Sequence, residues 1–314
     1  MVARISVMKK LSFLISLTND DNDYQIEQAS AARSAAAKMG VELEIIYATN
    51  DGILQSQQLL NRIQSSSAPR PHAILLEPAG ATALPQVARA AAAAGIGWVV
   101  LNRDADYISD LRRTYHVPVF AITSDHEEVG RIQGRQLMAL LPKGGTVLYV
   151  QGPGESSAAK QRYIGTLETK PDGVQLRVLK AQWTEASANK VVASWLRLST
   201  SRDAHISAVC AQDDSMAMGA RKAFEECLGD KRKDWESIPF LGCDGLPKTG
   251  QEWVRNKLLV ATIFIPPNTD QAMEMMMKSM ETGAQPPERT FTSARSLPQL
   301  EALAGRAVRA RAAR

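Results

Sequence analysis

At 314 residues, with 45% hydrophobic and 22% charged residues, the chain has room for two ordinary domains and the composition of an average globular protein, which excludes a disordered or fibrous class. The net charge of +4 is too modest to mark a nucleic-acid binder, and Arg306, Arg309, Arg311 and Arg314, crowded near the end, read as a solvated helix face. No run of 18 apolar residues could span a bilayer, and Cys210, Cys227 and Cys243 form no CxxC and have no histidine at ligand spacing, so they read as buried thiols.

The first apolar run, 11–17, follows Lys9-Lys10 as a leader would, but it is short and meets TNDDND without a small-residue cleavage site. It reads as the first strand, and the chain as written reads as not exported. An Ala-rich helix over 25–39 closes at Gly40, a strand covers 43–48, and a helix over 53–63 gives out in serines. A strand at 73–76 ends in Glu77-Pro78, a helix runs from Thr82 to Ala94, and a strand at 98–101 ends in Asn102-Arg103. Residues 104–117 show weak periodicity and read as a loop.

Beyond it the alternation resumes, with strand 119–122, helix 127–141, strand 146–150, helix 158–167, strand 175–181 and helix 187–198. The apolar run 206–209 leads through Cys210–Gln212 to Asp213 and Asp214, and Ser215 is placed to cap a helix carrying Met216, Ala217, Ala220 and Phe224. Strands at 238–242, 259–264 and 289–292 and a Met-rich helix at 269–280 complete the chain. Short strands alternating with longer helices imply βαβ crossovers. So many strands do not fit one sheet of this length, so the fold class is α/β with two doubly wound parallel-sheet lobes. The first change of lobe falls near 104–125.

Open α/β sheets bind ligands at the carboxyl ends of their strands. The residues there are Asp20 to Tyr24, Glu77, Asn102-Arg103, Ser124-Asp125, Gln151, Gln182-Trp183, Asp213-Asp214 and Asp244, with Arg162 on a following helix. Carboxylates accept from paired hydroxyls, arginine offers a fixed fork of donors, and a ring covers an apolar C–H face, a set that suits a polyhydroxylated ligand. Individually, each has a plainer reading: Asp213 as a helix cap, Arg103 as the partner of Asp104 or Asp106, Trp183 as core. Their coincidence at equivalent strand ends favours binding.

Enzyme signatures fail. GPGESS at 152–157 lacks the Gly-Lys-Ser/Thr close of a phosphate loop and the second glycine of a nucleophile elbow, no GxGxxG follows the first strand, and Ile26 stands where a calcium loop begun at Asp21 needs glycine. His72, His116, His126 and His205 have no helical partners. No reaction centre, cofactor or metal is expected.

Five segments in order carry a resemblance: WVVLNR at 98–103, TSDHEEVG at 123–130, VLYVQG at 147–152 with RYIG at 162–165, Cys210–Ala220, and LGCDG at 241–245. Over residues 10–295 the chain resembles the type I periplasmic binding proteins of sugar uptake, especially the ribose-binding-like group, whose fold is shared with the ligand domains of lac-repressor-type regulators. The resemblance implies lobes over 1–123 with 265–288 and 124–264 with 289–314, a three-strand hinge, a cleft between the lobes and closure on the ligand. It implies ligand contacts at Asn102, Arg103, Arg162, Asp213 and Asp244, with stacking on Tyr24; the strand-end reading adds Glu77 and Trp183. Several positions depart from the family pattern: Asn102 stands for an Asp, Asp213 for an Asn, and Glu77 and Ile265 for amides. The expected function is a monomeric binding protein, not an enzyme, that presents a sugar or polyol to an ABC permease. A sensor acting through a partner such as a kinase is the alternative. The family is periplasmic, and a cytoplasmic site is open without a leader.

Overall fold

Hydrophobic alternation along short strands sets the layers of this protein, seen in a computed structural model that describes residues 10–79, 83–202, 204–227 and 237–305. The four tail arginines, Lys9 and the Thr82 start of a helix lie outside the described residues. Two units are formed. The first takes in Met1–Asp21, Gln25–Thr123 and Pro267–Thr290, and the second Asn22–Tyr24, Ser124–Pro266 and Phe291–Arg314.

The first unit holds β1 (Ser12–Leu17), β2 (Glu42–Tyr47), β3 (Ala73–Leu76), β4 (Gly97–Leu101), β5 (Val119–Ser124) and β11 (Arg289–Thr292), in sheet order β11-β5-β4-β3-β1-β2. The β1–β2, β1–β3, β3–β4 and β4–β5 pairs are parallel. Because side chains alternate along a strand, Phe13, Ile15 and Leu17 join Val99, Leu101, Phe120 and Ile122 on one face. There they meet Ala29 and Ala32 of α1 (Asp23–Met39) and Ala272, Met273 and Met276 of α11 (Thr269–Thr282). Leu14, Ile74, Leu76, Trp98 and Val100 form the other face. It is covered by Leu59 and Ile63 of α2 (Gly52–Gln64), Val87 and Ala91 of α3 (Pro85–Ala93), and Ile108 and Leu111 of α4 (Ile108–Thr114). Each large aliphatic side chain so buried contributes about 1.5–3 kcal/mol.

The second unit holds a parallel sheet of β6 (Gly145–Gln151), β7 (Val174–Lys180), β8 (Ala208–Ala211) and β9 (Phe240–Leu241), in order β7-β6-β8-β9. Leu148, Val150, Val209 and Ala211 face α7 (Glu185–Leu196) and α9 (Asp214–Cys227) through Val192, Met216, Ala220 and Phe224. Val147, Tyr149, Ala208 and Cys210 face the opposite way, with Leu137 of α5 (His126–Leu140). A helix α6 (Ser157–Thr169) packs on α5, and β10 (Thr262–Phe264) forms an antiparallel ribbon with β12 (Arg295–Leu297). The α/β class with parallel sheets flanked by helices is therefore observed.

Three local expectations change. Residues 104–117 are not all loop, because Ile108 and Leu111, three apart, bury one side of the two-turn α4. Two turns are too few to raise a periodic signal. The short helices α8 (Ser199–Arg202) and α10 (Gly250–Arg255) and strand β12 escape notice for the same reason. The strands expected over 238–242 and 259–264 shorten to Phe240–Leu241 and Thr262–Phe264, joined by an isolated Leu241–Ala261 bridge.

The helix α6 meets α5 backbone to backbone. A Cβ on Gly165 would run into the Glu127 carbonyl, and one on Gly130 into the Arg162 carbonyl. Alanine is favoured over glycine in a helix by about 1 kcal/mol, whereas overpacking costs about 1–3 kcal/mol and here the obstacle is backbone. Gly165→Ala is therefore expected to lower stability by about 1 kcal/mol or more, read as a lower urea midpoint at unchanged m-value. A midpoint that stays or rises would show that the helices part without cost.

Candidate ligand-binding site

In the first unit, the ends of β3 and β4 bring Glu77, Asn102 and Arg103 together. Glu77 is 2% exposed and surrounded by donors. Its Oε2 accepts from Gln25 Nε2 at 2.9 Å and its Oε1 from Asn102 Nδ2 at 3.2 Å, while Arg103 Nη1 lies 3.4 Å from Oε1. Arg103 Nη1 also donates to the Asn102 carbonyl at 2.7 Å. Asn102 adopts a left-handed backbone, φ 55°, which turns the chain sharply at the strand end. Glu77 thus orients Asn102 and Arg103; its oxygens are engaged by protein groups, and the expectation of a direct ligand contact is revised accordingly.

In the second unit, Arg162 of α6 is the centre. Its side chain is 5% exposed. Nη1 donates to the Gln212 carbonyl and lies 3.9 Å from Asp244 Oδ1, Nε reaches His126 Nδ1 at 3.4 Å, and the guanidinium sits 5.6 Å from the Trp183 ring centre. Burial works against the charge, and Cys243, Asp244, Asp213 and Tyr24 together more than restore it. Trp183 is half-buried, with φ 58°, and its ring lies where a side chain on Gly152 would be. Trp183 therefore holds Arg162 as well as offering a ring. Asp244 has φ 101°, far from any relaxed position for a residue with a side chain.

The paired acids after β8 have separate fates. Asp213 Oδ1 accepts from the Met216 amide at 2.5 Å, capping α9, while Oδ2 is buried without a hydrogen-bond partner among the described residues. Ser215, expected as the cap, instead donates to Asp23 Oδ2 at 3.1 Å. Asp214, expected to support the helix start, ties distant chain together. Its Oδ1 accepts from Thr262 Oγ1 at 2.6 Å and its Oδ2 from the Gly245 amide at 2.7 Å.

Tyr24, expected to stack on a ligand, is 5% exposed and packed among Val129, Ile132, Cys243, Leu246, Ile263 and Ile265. Its hydroxyl donates to the Pro266 carbonyl at 3.1 Å. It serves the core of the second unit. Sequence reading missed Gln25, His126 and Gln212 as organisers. Gln212 donates to Tyr149 and accepts from the Gly152 amide, and its position just before Asp213 was the only available signal.

Burial pushes Asp213 up to about 7, with Asp23 adding to it and the Met216 amide and Arg162 opposing. Burial also raises Asp214 well above the usual carboxylate range, against the bonds from Thr262 and Gly245. Both native carboxyls keep a proton over a range where the unfolded chain has released it. The contribution is therefore complete below the ordinary value of 3.8 and is lost as pH rises through about 7 for Asp213. Asp213→Asn removes the titration and keeps the cap. The variant is expected to gain on the parent, by up to about 2.7 kcal/mol, as urea melts of the unliganded protein move from about pH 5 to about pH 8. Parallel pH curves would contradict the assignment.

Comparison with known proteins places this geometry in context. The family described as periplasmic binding protein domain matches residues 13–284. The D-apiose import binding protein of Paraburkholderia graminis is 26% identical over 269 residues, covering 84% of this chain and 79% of that protein. The ribose import binding protein of Salmonella typhimurium is 25% identical over 258 residues, covering 82% and 80%. A crystal structure of a galactofuranose binding protein shares the fold, with a TM-score of 0.79 at 22% identity, over 95% of this chain and 99% of that one. With the family match running through both units, the chain belongs to the periplasmic binding protein domain family.

Proposed function

We propose that this protein is the solute-binding component of an ABC transporter, that its ligand is a sugar or sugar-like polyol, and that it works in the periplasm without catalysing a reaction. The relatives named for apiose and ribose import support the solute class. The observation that carries the reading is the buried Arg162 with Asp213 and Asp244 beside it. This is a fixed donor fork flanked by acceptors, suited to adjacent hydroxyls. In the proposal, the ligand contacts are Asn102, Arg103, Arg162, Trp183, Asp213 and Asp244. Glu77 holds Asn102 and Arg103 in place.

A thermal-shift screen over pentoses, hexoses, their furanose-rich relatives and inositols tests it. A ligand present at about 100 times its Kd stabilises the folded protein by about 2.7 kcal/mol, enough to move the melting temperature by several degrees. Arg103→Ala is the sharper check, since this side chain is 14% exposed and Glu77 keeps Gln25 and Asn102 when it is lost. That variant is expected to melt near the parent without ligand and to lose the ligand-induced shift. A panel that leaves the parent's melting curve unmoved would overturn the sugar reading. For the transport role, loss of this protein should abolish uptake of whichever solute shifts the melt; uptake that persists points instead to a sensor.

A further inference from the structure

We propose that solute binding drives a proton off Asp213, so that capture releases a proton and affinity rises with pH. The inference rests on the sugar-binding reading above and adds a proton to the binding reaction at that same site.

Geometry singles out Asp213. It is 2% exposed, Oδ1 accepts from the Met216 amide at 2.5 Å, and Oδ2 accepts nothing among the described residues. The neighbouring acids already have donors: Asp214 has Thr262 and the Gly245 amide, and Asp23, in the stretch Asn22–Tyr24 of this unit, has Ser215. Asp244 has the Arg162 guanidinium 3.9 Å away. A buried oxygen without a donor favours the carboxylic acid, which needs less solvation than the carboxylate. The raised proton affinity of Asp213 agrees: burial and Asp23 raise it, and the Met216 amide and Arg162 oppose.

A solute hydroxyl donating to Oδ2 reverses the balance. A hydrogen bond to an ion is about twice as strong as one between neutral groups, so the hydroxyl stabilises the anion more than the acid. The carboxyl O–H bond breaks, its electron pair stays on the carboxylate, and the proton passes to water or buffer. The anion so formed is faced by Arg162 from α6 and by the Met216 amide of α9, while Asp23 and Asp214 work against it. Arg162 in turn is faced by Cys243 and Asp244 after β9, by Tyr24, and by His126 at the start of α5. Its guanidinium keeps its charge throughout, so the change falls on Asp213.

Titration calorimetry reads the proton directly. D-ribose, D-galactose, D-allose and myo-inositol are titrated in two buffers of different ionisation enthalpy, and then across a series of pH values. For each that binds, release of about half a proton at about pH 6.5 is expected, with binding about 10-fold tighter at about pH 8.5 than at about pH 5. That span corresponds to one carboxyl holding its proton about 10-fold less tightly in the complex. Asp213→Asn has no such proton and is expected to lose both effects, whatever its affinity. Asp214→Asn, outside the ligand contacts, is expected to keep them. Should Asp213→Asn bind none of the four, infrared difference spectra of the parent decide. Solute must then erase a protonated-carboxyl band that ¹³C-labelled aspartate shifts, and its persistence overturns the proposal. Affinity that is flat or falls with pH, proton uptake, release that survives in Asp213→Asn, or release lost in Asp214→Asn also overturns it, and each leaves the sugar reading standing. If no sugar or inositol binds at any of these pH values, the broader reading fails and takes this one with it.

Discussion

Arg162 imposes the strictest demand in the second unit, because moving a full charge out of water costs several kcal/mol per ion unless the surroundings replace what water supplied. The replacements come from every neighbouring element: a carbonyl from the residue before Asp213, an imidazole from the start of α5, a carboxylate after β9 and an indole after β7. The depth of the guanidinium is set by the docking of α6 on α5. The same helix that carries Arg162 presents Gly165 to the Glu127 carbonyl, while the Arg162 carbonyl itself presses where Gly130 has no side chain. Two glycines without chemistry of their own thus fix where the chemistry sits. Widening that helix contact would move Arg162 relative to Asp244 and Gln212 together.

Much of this was legible in the sequence, for a definite reason. Strands buried on both faces must be continuously apolar, so runs such as AILL and GWVVL end abruptly where the sheet ends, and the first polar residue marks the edge. That rule located Glu77, Asn102, Arg103, Asp213 and Asp244 without a structure. It could not tell a contact residue from its support. Glu77 and Asp213 look alike as acids after apolar runs, yet Glu77 is engaged by Gln25, Asn102 and Arg103 while Asp213 keeps an oxygen without a partner. The difference depends on residues up to 52 positions away. The partners of Asp214, at Gly245 and Thr262, are as remote, and no local pattern announces them. Tyr24 misled for a related reason, because an aromatic ring beside polar residues serves a core as readily as a ligand.

The strained backbone follows the same map. Asn102, Trp183 and Asp244 all take positive φ values immediately or shortly after strands, at a cost on the order of 1–3 kcal/mol each. A relaxed chain would carry these side chains on along the strand direction. The left-handed turn instead sends them sideways, towards groups on neighbouring elements: Asn102 to Glu77, Trp183 to Arg162, Asp244 to Arg162. Strain at these three positions is offset by the contacts it makes possible, so each turn and its contact stand or fall together.

Under the proposed function, selectivity resides less in the groups that are satisfied than in the one that is not. A donor or acceptor already engaged by the protein can be matched by many ligands, since its own bond persists whichever solute arrives. An orphaned buried oxygen discriminates, because a solute that leaves it unpaired forfeits the full cost of its desolvation. Asp213 is held to α9 by one oxygen, and burial limits its alternatives, so it cannot swing away to find another partner. The neighbouring Asp214 stiffens this edge by binding Thr262 and Gly245 at once, and so holds Asp213 in place.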